Sequence, residues 1–189
     1  MIIEVLVKNM VCNRCIKVIK NELLEAGVAV TKVELGRVVY KSKNIACDSK
    51  KLEKVLDENG FELLEGDDKI LIEKVKLSLI RFLENLPLQK SGTLSSYLSK
   101  ETETDYSRLS RIFSYTEKIT VEKYFIKLKI EKVKELIQSK QYNFTQISQL
   151  LDYSNVNHLS KQFKAETGMS LTKYKTLNQN FINSLDQIL

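Results

Sequence analysis

The sequence Met10-Val11-Cys12-Asn13-Arg14-Cys15 places two thiols three residues apart, between a β-branched apolar run and a run with helical spacing. Before it stands Ile2-Ile3-Glu4-Val5-Leu6-Val7; after it, Cys15, Ile16, Ile19, Leu23 and Leu24 recur on one helical face. A thiol at a helix start meets unpaired N–H groups and the positive end of the helix dipole, and Arg14 and Lys17 add to that field. Thiolate is the form that binds soft metal ions or attacks disulfides. The residues alone leave metal binding, redox exchange and an inert buried pair open.

The second set of residues with chemical potential is polar and basic, and it occurs twice. Leu94–Ser99, a turn and Tyr106–Phe113 form one unit; Thr145–Leu151, a turn at Asp152-Tyr153-Ser154 and Val156–Phe163 form another. Leu109/Phe113 and Leu159/Phe163 are i,i+4 apolar pairs, and Arg111 and Lys161 each stand two places before the phenylalanine. A short helix, a tight turn and a longer helix with exposed polar positions is the helix-turn-helix pattern, and its repetition strengthens it.

The surrounding elements must position both sets. A helix over residues 13–26 stops at Gly27, followed by alternating Val28–Leu35, a turn at Gly36 and Val38-Val39-Tyr40. Ser49 is the expected cap of a helix carrying Leu52, Val55 and Leu56, which ends at Asn59-Gly60 before Phe61–Leu64. The pattern predicts a ferredoxin-like β-α-β-β-α-β domain over 1–66. An all-α domain follows over 67–189, with two helix-turn-helix units joined by a linker helix, so the fold class is α+β. An apolar helix over about 68–86 ends at Pro87. The linker helix, about 120–139, is capped by Thr120 and carries Val121, Tyr124, Leu128, Val133, Leu136 and Ile137 inward.

Composition narrows the functional classes. In 189 residues with 43% hydrophobic content, 6 Gly and 1 Pro argue against long low-complexity segments. Three cysteines and an apolar start broken by Glu4 and Lys8 predict neither a disulfide framework nor a secretory signal. No apolar stretch is long enough to span a bilayer, so a cytoplasmic protein without membrane partners is expected. The net charge of +6 is uneven: residues 1–66 hold 11 Lys+Arg against 10 Asp+Glu, and the remainder 19 against 14. A basic C-terminal part permits binding to phosphate backbones. One histidine, no glycine-rich phosphate loop and no nucleophile–base pair make an enzyme unexpected.

The order of elements and the Met-x-Cys-x-x-Cys loop resemble the heavy-metal-associated domain of copper chaperones and copper-transporting ATPases. The resemblance covers residues 1–65. It implies Cys12 and Cys15 as metal ligands, with Met10 and Phe61 supporting the loop. Val11 stands where zinc and cadmium domains often carry an acid, which favours Cu(I); Ag, Hg and Zn remain open. Two thiolates suit Cu(I), whereas zinc normally takes four ligands. Redox folds of the thioredoxin kind pair such thiols with a proline, and Pro87 lies outside this segment. Cys47 is expected to be structural.

Residues 67–177 resemble the DNA-binding domain of AraC-type regulators, most closely at Phe144–Ser148, His158–Lys164 and Thr167–Tyr174. The resemblance implies double-stranded DNA as partner, with RNA polymerase a further one. Ser107, Arg108, Ser110 and Arg111 would read bases in the first unit, and Val156, Asn157, His158, Ser160 and Lys161 in the second. Arg and Lys suit guanine edges and Asn157 suits adenine, while Thr145 suits phosphate. The first turn, Lys100–Asp105, lacks glycine and carries three acids, which oppose phosphate. Asp152 replaces a glycine in the second turn, a position Asp tolerates.

Together these features predict a metal-responsive transcription regulator, either through the packing of the 68–86 helix or through a metal-bridged homodimer. The alternatives are a metal carrier whose helical half docks a protein and, further off, a thiol oxidoreductase.

Overall fold

The computed structural model describes residues 1–10, 12–88 and 92–177. Val11, on which the preference for copper over zinc partly rested, lies outside the described residues, as do 178–189 of the expected second domain. The chain divides into two compact units, Met1–Leu77 and Ser78–Leu189.

In the first unit, β1 (Ile2–Lys8), α1 (Asn13–Glu25), β2 (Ala29–Glu34), β3 (Arg37–Lys41), α2 (Ile45–Glu58) and β4 (Glu62–Leu63) follow in order. The sheet runs β2-β3-β1-β4, with every neighbouring pair antiparallel. This is the expected β-α-β-β-α-β arrangement. Period-2 alternation sends Val7, Val38 and Tyr40 into the core, where Ile19 and Leu23 of α1 and Leu52, Val55 and Leu56 of α2 join them. Burying these side chains between both helices and one sheet face is the main favourable term for so small a unit, while Ile2, Leu24 (expected on the buried face of α1) and Ile45 stay exposed.

Two local details differ from expectation. Asn44, not Ser49, caps α2: its side chain accepts from the Cys47 N–H at 3.3 Å, so the helix starts one turn earlier. Ser49 instead meets the Tyr40 hydroxyl at 3.3 Å. Cys47, expected to be structural, consequently sits exposed in the first turn of α2.

Helix α3 (Asp67–Glu84) begins where the first domain was expected to end, and the division of units falls inside it, at Leu77/Ser78. Its first half belongs with the sheet unit. Gly36 has φ +71°, which strains any other residue, and a Cβ there would lie 2.2 Å from Leu77 Cδ1, so the tip of Leu77 would have to move.

The second unit is helical: α4 (Leu94–Thr102), α5 (Tyr106–Glu117), α6 (Val121–Gln138), α7 (Phe144–Leu150), α8 (Val156–Thr167) and α9 (Leu171–Thr176). The repeat extends well beyond the helix-turn-helix pairs. N-caps recur fifty residues apart at Thr93 and Asn143, Asp105 and Asn155, and Thr120 and Ser170. Each longer helix ends in a left-handed residue, Lys118 in the first copy and Gly168 in the second. Phe113 meets Tyr124 at 5.6 Å between ring centres, and Phe163 meets Tyr174 at 5.5 Å. Thus α9 repeats the first turns of α6, and each unit is a three-helix module locked by one aromatic pair.

Thr120 caps α6 as expected, accepting from the Lys123 N–H at 3.2 Å. The expected inward residues of α6 are all buried, and so are Ile130 and the Glu131–Lys134 ion pair, whose nitrogen and oxygen lie 2.7 Å apart. Contacts with α5, α7 and α8 surround α6 on several sides, which explains burial beyond a single stripe.

Candidate functional site

Helices α5 and α8 each turn one face inward and one outward. Leu109 and Phe113 are fully buried on α5, as are Leu159 and Phe163 on α8. This orientation leaves Ser107, Arg108 and Arg111 exposed and Ser110 half-buried. In the second copy Asn157, His158 and Lys161 are exposed, and Val156 and Ser160 half-buried. The proposed readers therefore occupy matching outward faces. Thr145 is exposed in the first turn of α7.

The first turn is shorter than the sequence indicated. Lys100 and Glu101 are helical, and Glu103 takes the left-handed conformation (φ 52°) that a glycine would usually supply. Asp105 caps α5, accepting from the N–H groups of Ser107 and Arg108. The Ser107 hydroxyl, and then those N–H groups, hold its carboxyl below the usual range. One of the three acids thus has a structural task, and Ser107 spends its hydroxyl on Asp105 rather than offering it outward. Asp152 adopts the left-handed conformation at φ 53°, as its side chain permits.

His158 is held from two sides: Nδ1 lies 3.2 Å from Ser154 Oγ, and its ring meets Tyr153 edge-on at 5.5 Å. Tyr153 is buried, and Lys129 Nζ stands 3.8 Å from its ring centre. Lys129, on α6, therefore reaches α8 through Tyr153 and His158. Burial pulls its ammonium down to about 8, against the opposing charge of Asp152. Neither Lys129 nor the role of Tyr153 is legible in sequence, because their contact spans 24 residues and depends on how α6 crosses the second unit.

A pH effect follows. Unfolded Lys129 keeps its proton to about 10.4, whereas folded Lys129 releases it near 8. Between these values the unfolded chain binds more protons, so stability rises with pH from about 8 to about 10. Lys129→Met is expected to flatten that rise. Urea midpoints of both proteins between pH 7 and 10 check this, and parallel profiles would contradict it.

In the sheet unit, Cys12 holds the N-cap position of α1 with extended backbone and without a side-chain capping bond, and its sulfur lies 3.2 Å from that of Cys15. Cys12 is exposed and Cys15 half-buried, and neither is in a disulfide. Burial pushes the Cys12 thiol up. The Cys15 N–H and thiol, the Arg14 N–H and the Arg14 charge outweigh it, leaving Cys12 below the ordinary thiol range. Met10 is fully buried in the core beneath the loop, and Phe61 packs partly buried on the same cluster as Cys15. Among the described residues no group of three or more His, Cys, Asp or Glu converges to hold a metal ion. Here the described residues bring together the two sulfurs of Cys12 and Cys15.

Residues 98–176, from within α4 to the end of α9, match the family model of a helix-turn-helix domain. This stretch is a DNA-binding domain of the AraC-type helix-turn-helix class, and the chain carrying it is a DNA-binding transcription regulator. The same comparison finds no heavy-metal-associated domain. No curated protein and no solved structure matches the chain. No helix among the described residues is long and apolar enough to cross a membrane.

Proposed function

We propose that this regulator reads DNA through the outward faces of α5 and α8 and responds to a soft metal ion, Cu(I) foremost, held by Cys12 and Cys15. The observation that carries the metal half is the thiol pair itself, with one thiol exposed and drawn toward thiolate. A two-sulfur donor set fits an ion that is content with two soft ligands, which Cu(I), Ag(I) and Hg(II) are. Zinc would require further donors, such as the thiol pair of a second chain. When bound, the ion supplies a cross-link between the cap of α1 and its first turn. Cys12 and Cys15 hold that cross-link, Arg14 offsets the negative charge of the thiolates, and Met10 anchors the loop in the core. The β4–α3 junction, Glu65-Gly66, joins the sheet unit directly to α3, the chain's path into the helical unit.

The test is DNA affinity with and without Cu(I), for wild type and for the Cys12→Ser/Cys15→Ser variant. Metal is expected to change wild-type affinity about 5–150-fold and to leave the double-serine protein unaffected. Equal affinities under all four conditions overturn metal control. Retained copper binding with no effect on DNA would indicate a carrier.

A further inference from the structure

The outward face of α5 continues past the residues assigned to base reading. Tyr115 stands seven residues after Arg108 and four after Arg111, so the three share one stripe of the helix. Its side chain is 77% exposed, where a tyrosine is commonly half-covered. The Lys118 ammonium lies 4.6 Å from the centre of that ring. Lys118 is itself exposed, and Glu117, the acid beside it, is half-buried.

The second copy has no such group. Fifty residues on, Ala165 and Gly168 replace Tyr115 and Lys118, while the buried Leu109 and Phe113 keep their counterparts Leu159 and Phe163. Lys118 holds the left-handed C-cap at φ 58°, as Gly168 does at φ 72°. A lysine is strained in that conformation and a glycine is not. A module of this type therefore buries its core and ends its helix without either side chain. What the pair adds is a hydroxyl and a cation, at the end of α5 away from Glu101, Glu103 and Asp105. Those acids oppose phosphate near the start of the helix. The partial negative charge of a helix C-terminus opposes it at the other end, and there Lys118 offsets it.

We propose that Tyr115 and Lys118 anchor the first unit to the DNA backbone, the tyrosine hydroxyl donating to a phosphate oxygen and the ammonium beside its ring pairing with phosphate. The proposal rests on the DNA reading above and names the contact that holds α5 on DNA despite its acids. From Arg108 to Tyr115 the helix rises about 10.5 Å, close to the major-groove width of about 12 Å. A helix whose arginines meet base edges thus brings Tyr115 to the rim of the groove, where the backbone runs. Tyrosine hydroxyls and lysines are common phosphate donors.

The test is binding, across a range of salt concentrations, of a duplex that wild type selects from a randomised pool. The variants are Tyr115→Phe, Tyr115→Ala and Lys118→Gly; the last two install the residues of the second copy, so neither strains the fold. Each is expected to weaken binding about five- to tenfold. Lys118→Gly should also flatten the slope of log affinity against log salt by about 0.9, whereas Tyr115→Phe, which removes only the hydroxyl, should keep it. All variants should select the same sequence, because phosphate contacts carry no base information. Wild-type affinity and slope in every variant overturn the anchor; loss of transcription with purified RNA polymerase would then assign the pair to a protein partner. A changed base preference also overturns it, since Tyr115 would then read bases. Failure of wild type to select any duplex overturns the DNA reading instead.

Discussion

Phe163→Ala is expected to destabilise the helical unit by about 3–5 kcal/mol, the range for deleting a fully buried aromatic ring. The ring has no exposed surface, packs one turn from Leu159 on its own helix, and meets Tyr174 of α9 at 5.5 Å. Its loss leaves a cavity where α8 joins α9 and removes an aromatic pair worth about 0.5–1.5 kcal/mol beyond the buried area. Phe113→Ala should act alike in the first copy, where Tyr124 is the partner. Urea denaturation checks both. Because each copy is a module, hydrogen exchange should show Phe163→Ala loosening α8 and α9 before α4 and α5. A loss under 1 kcal/mol, or uniform loosening, would contradict the modular reading.

Arg108→Ala with Arg111→Ala is expected to produce the largest loss of DNA affinity. Each bidentate arginine–guanine pair contributes about 1–3 kcal/mol of discrimination, and both side chains are exposed on the outward face of α5. Base preference should relax in one half-site only. Asn157→Ala should relax the other half-site, at an adenine. Binding to single-base variants of a selected site measures both. The acids of α4 and its turn bear directly on this outcome. Asp105 is engaged as a cap, which leaves Glu101 and Glu103 to oppose phosphate. Unchanged affinity after removal of both arginines would mean that their repulsion prevails and that the first unit does not read bases.

Much of this architecture is visible in one dimension because it rests on short-range periodicity. The pairs Leu109/Phe113 and Leu159/Phe163 mark the buried faces of α5 and α8, and so identify the outward ones. The N-cap of α6 at Thr120 is equally local. Asn44 and Ser49 are both competent cap residues for α2, and only the backbone conformation at Asn44 decides between them. The glycine-less first turn looked longer than it is because Glu103 takes a left-handed conformation that favours glycine.

The sequence by itself determined the thiol pair at the head of α1, the alternation that makes the sheet, and the duplicated helix-turn-helix. Each follows from residue type at fixed local spacing. Tertiary structure alone decided which polar residues act together. Lys129 finds Tyr153, Tyr106 finds Glu122 and Lys123 finds Glu166 across 24, 16 and 43 residues. Those meetings depend on how α6 crosses its neighbours, and helix crossing is set by the packing of whole faces rather than by any local pattern. The thiol pair gained its definition in the same way. Spacing named the two sulfurs and the Arg14 charge beside them, but only the folded chain shows Met10 fully buried in the core and brings the Cys15 N–H and thiol onto Cys12.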